Sequence, residues 1–129
     1  MSANRWVTEM AKYFDETEFA CKHCRRLPEN GMHPVLIEKL DELREAIGHP
    51  IYVSSGYRCP YHNSVVGGVP NSQHVLGTGA DIICNAVTVS KLAEEAEKIG
   101  FDGLGIYLYD GFVHVDVRDG GRNPNYYRW

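Results

Sequence analysis

The sequence lacks any long apolar run, and its 129 residues carry little excess of one charge. Because a membrane-spanning helix needs roughly 20 apolar residues in a row, we expect no membrane partner. The formal net charge of −4, without a basic stripe, argues against nucleic acid as a partner. Residues 1–14 contain no apolar core of a secretory signal, so we expect synthesis in the cytoplasm and action elsewhere only after release.

Cysteine is also scarce, with four residues in the chain: Cys21, Cys24, Cys59 and Cys84. A cytosolic start argues against a disulfide framework. The C-x-x-C pair and the C-x-x-H pair of Cys59 and His62 have the spacing with which one tight turn presents two ligands to zinc. The two pairs either bind a second, structural zinc, or the C-x-x-C pair is a reduced surface pair and the other two cysteines are small buried side chains. The sequence favours neither interpretation.

Apolar residues recur at helical spacing in two segments, 34–47 and 89–99. Pro34 suits a first helical turn, and Gly48 and Gly100 suit the position just after each helix. The segment 4–14 is compatible with a third, short amphipathic helix. The sequence therefore predicts two main helices and a smaller one at the N-terminus.

Four segments are rich in strand-forming residues: PIYVSS, ADIIC, LGIYLY and FVHVDV. The Asp110–Gly111 pair between the last two predicts a hairpin. With the helices, this pattern predicts an α+β fold in which helices pack on a mostly antiparallel sheet, as a single domain over residues 1–129. Residues 57–79 show no sustained period, and an irregular segment of that length in a compact domain is usually functional or disordered. Its aromatic residues and histidines argue against disorder.

The last predicted strand has two distinct faces, because side chains alternate along a strand. Its three valines are expected to face the core. The opposite face carries Phe112, His114, Asp116 and Arg118. A solvated face is the ordinary interpretation of such a pattern. A lone phenylalanine is unusual on a wet face, which favours a site.

His74, Asp81 and His114 together form a candidate zinc site. Neutral imidazole and carboxylate are zinc ligands, and three protein ligands with one open position is the catalytic arrangement. The glycines between His74 and Asp81 would let the chain bend so that both side chains reach one ion. A lone histidine is more often structural or exposed, and this is the interpretation for His23, His33 and His49.

The motif S-x-H-x-x-G at 72–77, followed by Asp81 and a late strand histidine, resembles the zinc D-Ala-D-Ala carboxypeptidase family. The segments SSGYRCPYHNSVVGGVPNSQHVLGTGADI and GIYLYDGFVHVDVR are similar to those of its small phage and bacterial members, and the resemblance covers residues 14–118. It implies a zinc peptidase fold, with Zn²⁺ bound by His74, Asp81 and His114.

The general base is where the sequence departs from this family. Many relatives have an acidic residue three positions before the last histidine ligand, or a histidine two before it. Here those positions hold Gly111 and Phe112, which cannot accept a proton. Asp116 is the remaining candidate for the base, since it shares a strand face with His114. It could instead orient the ligating histidine or pair with Arg118.

The resemblance implies hydrolysis of stem peptides in bacterial peptidoglycan, by a carboxypeptidase or an endopeptidase of D,D or L,D type. Arg58, in the sequence GYR, then binds and polarises the scissile peptide. The alternative is a non-catalytic, zinc-containing module of the same fold, for example a phage-associated one, which the missing base favours. We expect a monomer whose partner is a peptidoglycan peptide.

Overall fold

The computed structural model describes residues 13–69 and 71–129. Within these residues a sheet has the strand order β1-β2-β4-β3-β5, and neighbours are antiparallel except for the parallel pair β3 and β5. The strands are β1 Tyr52–Ser55, β2 Gly79–Ile83, β3 Gly103–Tyr107, β4 Phe112–Asp116 and β5 Tyr127–Arg128. The helices are a 3-10 turn at Glu16–Phe19, then α1 Pro34–Ile47, α2 Pro60–Val65, α3 Gln73–Leu76 and α4 Val89–Ile99.

The predicted α+β fold is confirmed, with both main helices and four strands where the sequence pattern indicates them. Helix α1 begins after His33, whose Nδ1 accepts the N–H of Val35 at 3.2 Å, and ends at Gly48 in the left-handed region. The interpretation of His33 as structural agrees with this cap. The predicted N-terminal helix lies outside the described residues, apart from Tyr13 and Phe14.

The hydrophobic core lies between one face of the sheet and helices α1 and α4. The three valines of the last predicted strand, Val113, Val115 and Val117, are fully buried there, as expected from their alternation. Leu36 and Leu40 of α1 are buried in the same cluster. This packing leaves the other face of β2, β3 and β4 available for polar side chains. No helix in the described ranges combines the length and apolar character needed to span a membrane.

Two parts of the chain have more structure than the sequence pattern predicts. The segment 57–79 contains the short helices α2 and α3, which span too few turns to produce a visible period. The turn-rich C-terminal stretch ends in β5, which pairs with β3. Asp102 fastens this stretch, because its fully buried carboxylate accepts the N–H groups of Asp119, Gly121 and Asn123.

Candidate metal centre

The face of the sheet opposite the core is shaped by glycines. Gly79 on β2 and Gly103 on β3 both lie directly opposite Asp116 on β4. A Cβ atom at Gly103 would collide with the Asp116 carboxylate, and one at Gly105 would collide with the Trp129 ring. Glycine at these positions therefore makes room for a buried carboxylate and an aromatic ring beside the site.

His74 is positioned by the single turn of α3. Ser72 caps this turn, since its Oγ accepts the His74 N–H at 3.2 Å, and Gly77 ends it at φ +76. The Nδ1 of His74 lies 2.8 Å from the carbonyl oxygen of Gly56, to which it donates. The His74 Nε2 is then an acceptor, and it lies 3.3 Å from Oδ1 of Asp81.

His114 and Asp81 face each other across adjacent strands. His114 Nδ1 lies 3.0 Å from Asp81 Oδ1, and the ligand atoms of His74, Asp81 and His114 all lie within 4.8 Å of one another. Zinc with ligand bonds of about 2.0–2.2 Å holds neighbouring ligands of a tetrahedron about 3.4 Å apart. The separations of 3.0 and 3.3 Å from Asp81 therefore fit one tetrahedral ion. The structure brings the three predicted ligands together.

The electrostatics of this face suit a bound cation. Burial raises the pKa of Asp81, but hydrogen bonds with His114 and His74 outweigh it and lower that pKa to about 2. For Asp116, burial is likewise outweighed by His114 and Arg118, and the pKa falls to about 2. Two ionised carboxylates therefore flank His114, one on each side of its ring.

Asp116 contacts the side of His114 that points away from Asp81. Its Oδ2 accepts from His114 Nε2 at 2.8 Å, and its two oxygens accept from Nε and an Nη of Arg118 at 2.9 and 2.7 Å. The Asp116 side chain is fully buried, and the Arg118 guanidinium lies over the ring of Tyr127. Both oxygens of the Asp116 carboxylate are therefore hydrogen-bonded on the side of His114 that faces away from the candidate metal position.

The three candidate ligands and Arg58 line one cavity of about 740 Å³. The Nε atom of Arg58 is buried and has no hydrogen-bond partner among the described residues. Burial lowers the pKa of Arg58, which the charge of Asp81 partly opposes. The backbone N–H of Arg58 donates to the His74 carbonyl at 3.1 Å, so the Arg58 backbone is held against α3, which carries His74. Because Arg58 lines the cavity, its guanidinium group can serve a substrate oxygen there.

Three aromatic side chains form another wall of this cavity: Tyr107, Phe112 and Trp129. The Tyr107 and Phe112 rings stack at 4.4 Å, and Trp129 Nε1 donates to the Tyr107 hydroxyl at 2.6 Å. The Trp129 ring centroid lies 5.2 Å from that of His114. Strand alternation predicts the place of Phe112, whereas the contribution of Trp129 has no signal in the local sequence.

The cysteines form a second cluster. The Sγ atoms of Cys21, Cys24 and Cys59 lie within 4.8 Å of one another, while Cys84 is buried in the core. Neither His62 nor His23 is part of this group. His23 is exposed, in agreement with the expectation of a surface or structural histidine, and its Nδ1 lies 3.7 Å from Cys59 Sγ.

Comparison with known proteins shows to which family the chain belongs. The model of the peptidase M15 family matches residues 5–116, a range that contains all three candidate zinc ligands. A zinc D-Ala-D-Ala carboxypeptidase of Streptomyces albus G is 37% identical over 90 residues, which are 67% of this chain. The matched region is only 35% of that relative's length. The chain belongs to the peptidase M15 family.

Proposed function

We propose that the protein is a zinc-dependent peptidase that cleaves stem peptides of bacterial peptidoglycan. The observation that carries this proposal is the convergence of His74, Asp81 and His114 on one point at the wall of an open cavity. Three ligands of this chemistry leave a coordination position for water or substrate. The match to a peptidase family over the same residues supports hydrolysis as the use of that position.

Bound zinc would polarise the scissile carbonyl and lower the pKa of its water, and the protein would position the other groups. Arg58, which lines the cavity, would donate a guanidinium N–H to a substrate oxygen, where it stabilises developing negative charge. Gly56 would hold His74 by its Nδ1, so that Nε2 faces the metal. The tautomer of each histidine is thus set by the partner of its other ring nitrogen.

For Asp116 we propose the orienting role rather than that of the base. The carboxylate faces Nε2 of His114, whereas Nδ1 faces Asp81 and the metal position. It is also fully buried and bonded twice by the Arg118 side chain. A base must reach the water that it deprotonates. Asp116 would act instead by fixing the ring of His114.

A peptide with free carboxylates is the substrate class that the cavity supports best. Its volume lies in the range of sites that enclose a small ligand. Lys22 and Arg58 line it with positive charge, and the positive charge of Arg118 is compensated by Asp116. The Streptomyces relative is named for D-Ala-D-Ala, and a D-amino acid at the cleaved bond is part of the proposal. Carboxypeptidase and endopeptidase cleavage both agree with a cavity open to solvent.

The experiment is mass spectrometry of defined muropeptides incubated with the zinc-loaded protein. Pentapeptides ending in D-Ala-D-Ala, tetrapeptides with an L,D bond and cross-linked dimers distinguish the three cleavage types. We expect product from one of these classes with wild type and none with Asp81→Asn. Zinc-loaded wild-type protein that releases nothing from any of them, yet binds them, would instead indicate the non-catalytic module, which the absence of a base at Gly111 and Phe112 favours.

A further inference from the structure

The thiols of Cys21, Cys24 and Cys59 form a cluster whose surroundings suit a bound metal ion. All four cysteines of the chain are free, and the Sγ atoms of three of them lie within 4.8 Å of one another, although Cys59 is far from Cys24 in the sequence. Two of the three sulfur atoms accept a backbone N–H at 3.4 Å: Cys21 Sγ from Cys59 and Cys59 Sγ from His62. Such hydrogen bonds stabilise the thiolate, the form that binds metal.

The backbone around the first two cysteines forms a closed turn. The Arg25 N–H donates to the Cys21 carbonyl, and the Cys21 N–H donates to the Arg26 carbonyl, both at 2.8 Å. Arg25 has φ +62, a left-handed conformation that is uncommon for a residue with a side chain. The turn points both thiols toward Cys59, which caps the N-terminus of α2.

The three thiols lie close enough together to share one zinc ion, and one sulfur–nitrogen separation is that of a tetrahedron edge. With Zn–S of about 2.3 Å and Zn–N of about 2.0 Å, sulfur atoms lie about 3.8 Å apart, and sulfur and nitrogen about 3.5 Å apart. His23 Nδ1 lies 3.7 Å from Cys59 Sγ. We propose that Cys21, Cys24 and Cys59 bind a second zinc ion as thiolates, with the exposed His23 imidazole as fourth ligand after its ring turns further toward the cluster. Four protein ligands close the coordination sphere, so this site is structural.

A metal at this position would connect two segments that line the candidate active site. The ligands flank Lys22 and Arg58, both of which line the cavity. Tyr57 N–H donates to the Phe19 carbonyl at 2.7 Å, so the backbone already joins the same two segments. The second zinc therefore fixes the cationic wall of the cavity, which the sheet does not support directly.

The test is metal content and cobalt spectroscopy of the full chain, purified under reducing conditions. We expect two zinc ions per chain in wild type, and cobalt substitution should give a thiolate-to-cobalt charge-transfer band. Both signals belong to the folded wild type, so neither depends on a variant that folds poorly. One zinc per chain with no charge-transfer band would overturn the proposal.

Variants separate the two sites and identify the fourth ligand. Cys24→Ser should lose one zinc and the charge-transfer band, whereas the matched control Cys84→Ala should keep both. Asp81→Asn should lose one zinc and keep the band, so failure of this site and failure of the proposed catalytic centre have different signatures. His23→Ala should speed zinc loss to a chelator and His62→Ala should not. The reverse order for the two histidines would contradict the assignment of His23.

Discussion

The two candidate metal sites differ in what holds their ligands. Asp81 and His114 lie opposite each other on paired strands, so the spacing of the sheet sets their separation. Cys21, Cys24 and Cys59 lie on a loop turn and at a helix cap, which the Tyr57–Phe19 backbone hydrogen bond and the clustered thiols connect. We therefore expect the sheet to maintain the open site without metal, and the proposed second zinc to contribute more to the order of the cysteine site.

The two sites also differ in the number and kind of their zinc ligands. Two imidazoles and a carboxylate leave zinc a position for water, and this site faces a cavity. Three thiolates and an imidazole fill the coordination sphere and leave no position for chemistry. One chain would then use zinc twice, once for hydrolysis and once to hold the wall beside it.

The largest effect should come from Asp81→Asn. The substitution keeps the shape but removes the charge that faces both histidines, so zinc should leave the open site and peptide release should fall to background. The measurement is turnover alongside zinc content, with the exposed Asp110→Asn as control. Full zinc occupancy together with normal turnover would show that Asp81 is not a ligand.

Arg58→Ala should have the next largest effect. Loss of a donor to the developing oxyanion lowers turnover by about 10²–10³-fold. Zinc content should stay at the wild-type value, because Arg58 is bonded to α3 through its backbone N–H, which alanine retains. Steady-state kinetics check the loss, and Arg122→Ala, at an exposed arginine, is the matched control. Turnover unchanged from wild type would exclude Arg58 from the reaction.

Asp116→Asn distinguishes the two roles considered for this residue. If Asp116 orients His114, the substitution should weaken zinc affinity by about 10–100-fold, and added zinc should restore activity. As the base it would lower turnover by about 10²–10⁴-fold at unchanged zinc affinity. A competitive zinc chelator gives the affinity. Asp102→Asn is the control for loss of a buried carboxylate, since Asp102 binds only backbone groups of the C-terminal stretch in the described contacts.

The smallest effect on turnover should come from Cys24→Ser. Loss of zinc from the cysteine site leaves the ligands His74, Asp81 and His114 intact. It affects the reaction only through the position of Lys22 and Arg58. We expect a loss below about 10-fold, with a larger change in hydrogen exchange at 21–26 and 57–62 than in the strands. Equal loss of protection in β2 and β4 would mean that the two sites are not held independently.

The sequence predicts the parts of this molecule whose pattern is local. Helix α1 has apolar periodicity and recognisable ends, and β4 has strict alternation. The zinc ligands follow from a motif around His74 and the face of β4. Helices α2 and α3 and strand β5 were missed because two to six residues carry no measurable period.

Long-range contacts explain the remaining differences. The burial of Asp116 depends on Gly79 and Gly103, which become its neighbours only when the sheet forms. The ring nitrogen of His23, which is distant in sequence, approaches Cys59 Sγ, whereas His62 contacts that sulfur through its backbone N–H; spacing alone favours the C-x-x-H pair. Trp129 reaches His114 through the parallel pairing of β5, which the sequence did not indicate.

The most direct test of the central claim is zinc titration of metal-free wild-type protein, with release of a stem peptide followed by mass spectrometry. The account predicts no product without metal, and product formation that rises with zinc and saturates once two ions are bound per chain. Two bound zinc ions and no product from any stem peptide would contradict it.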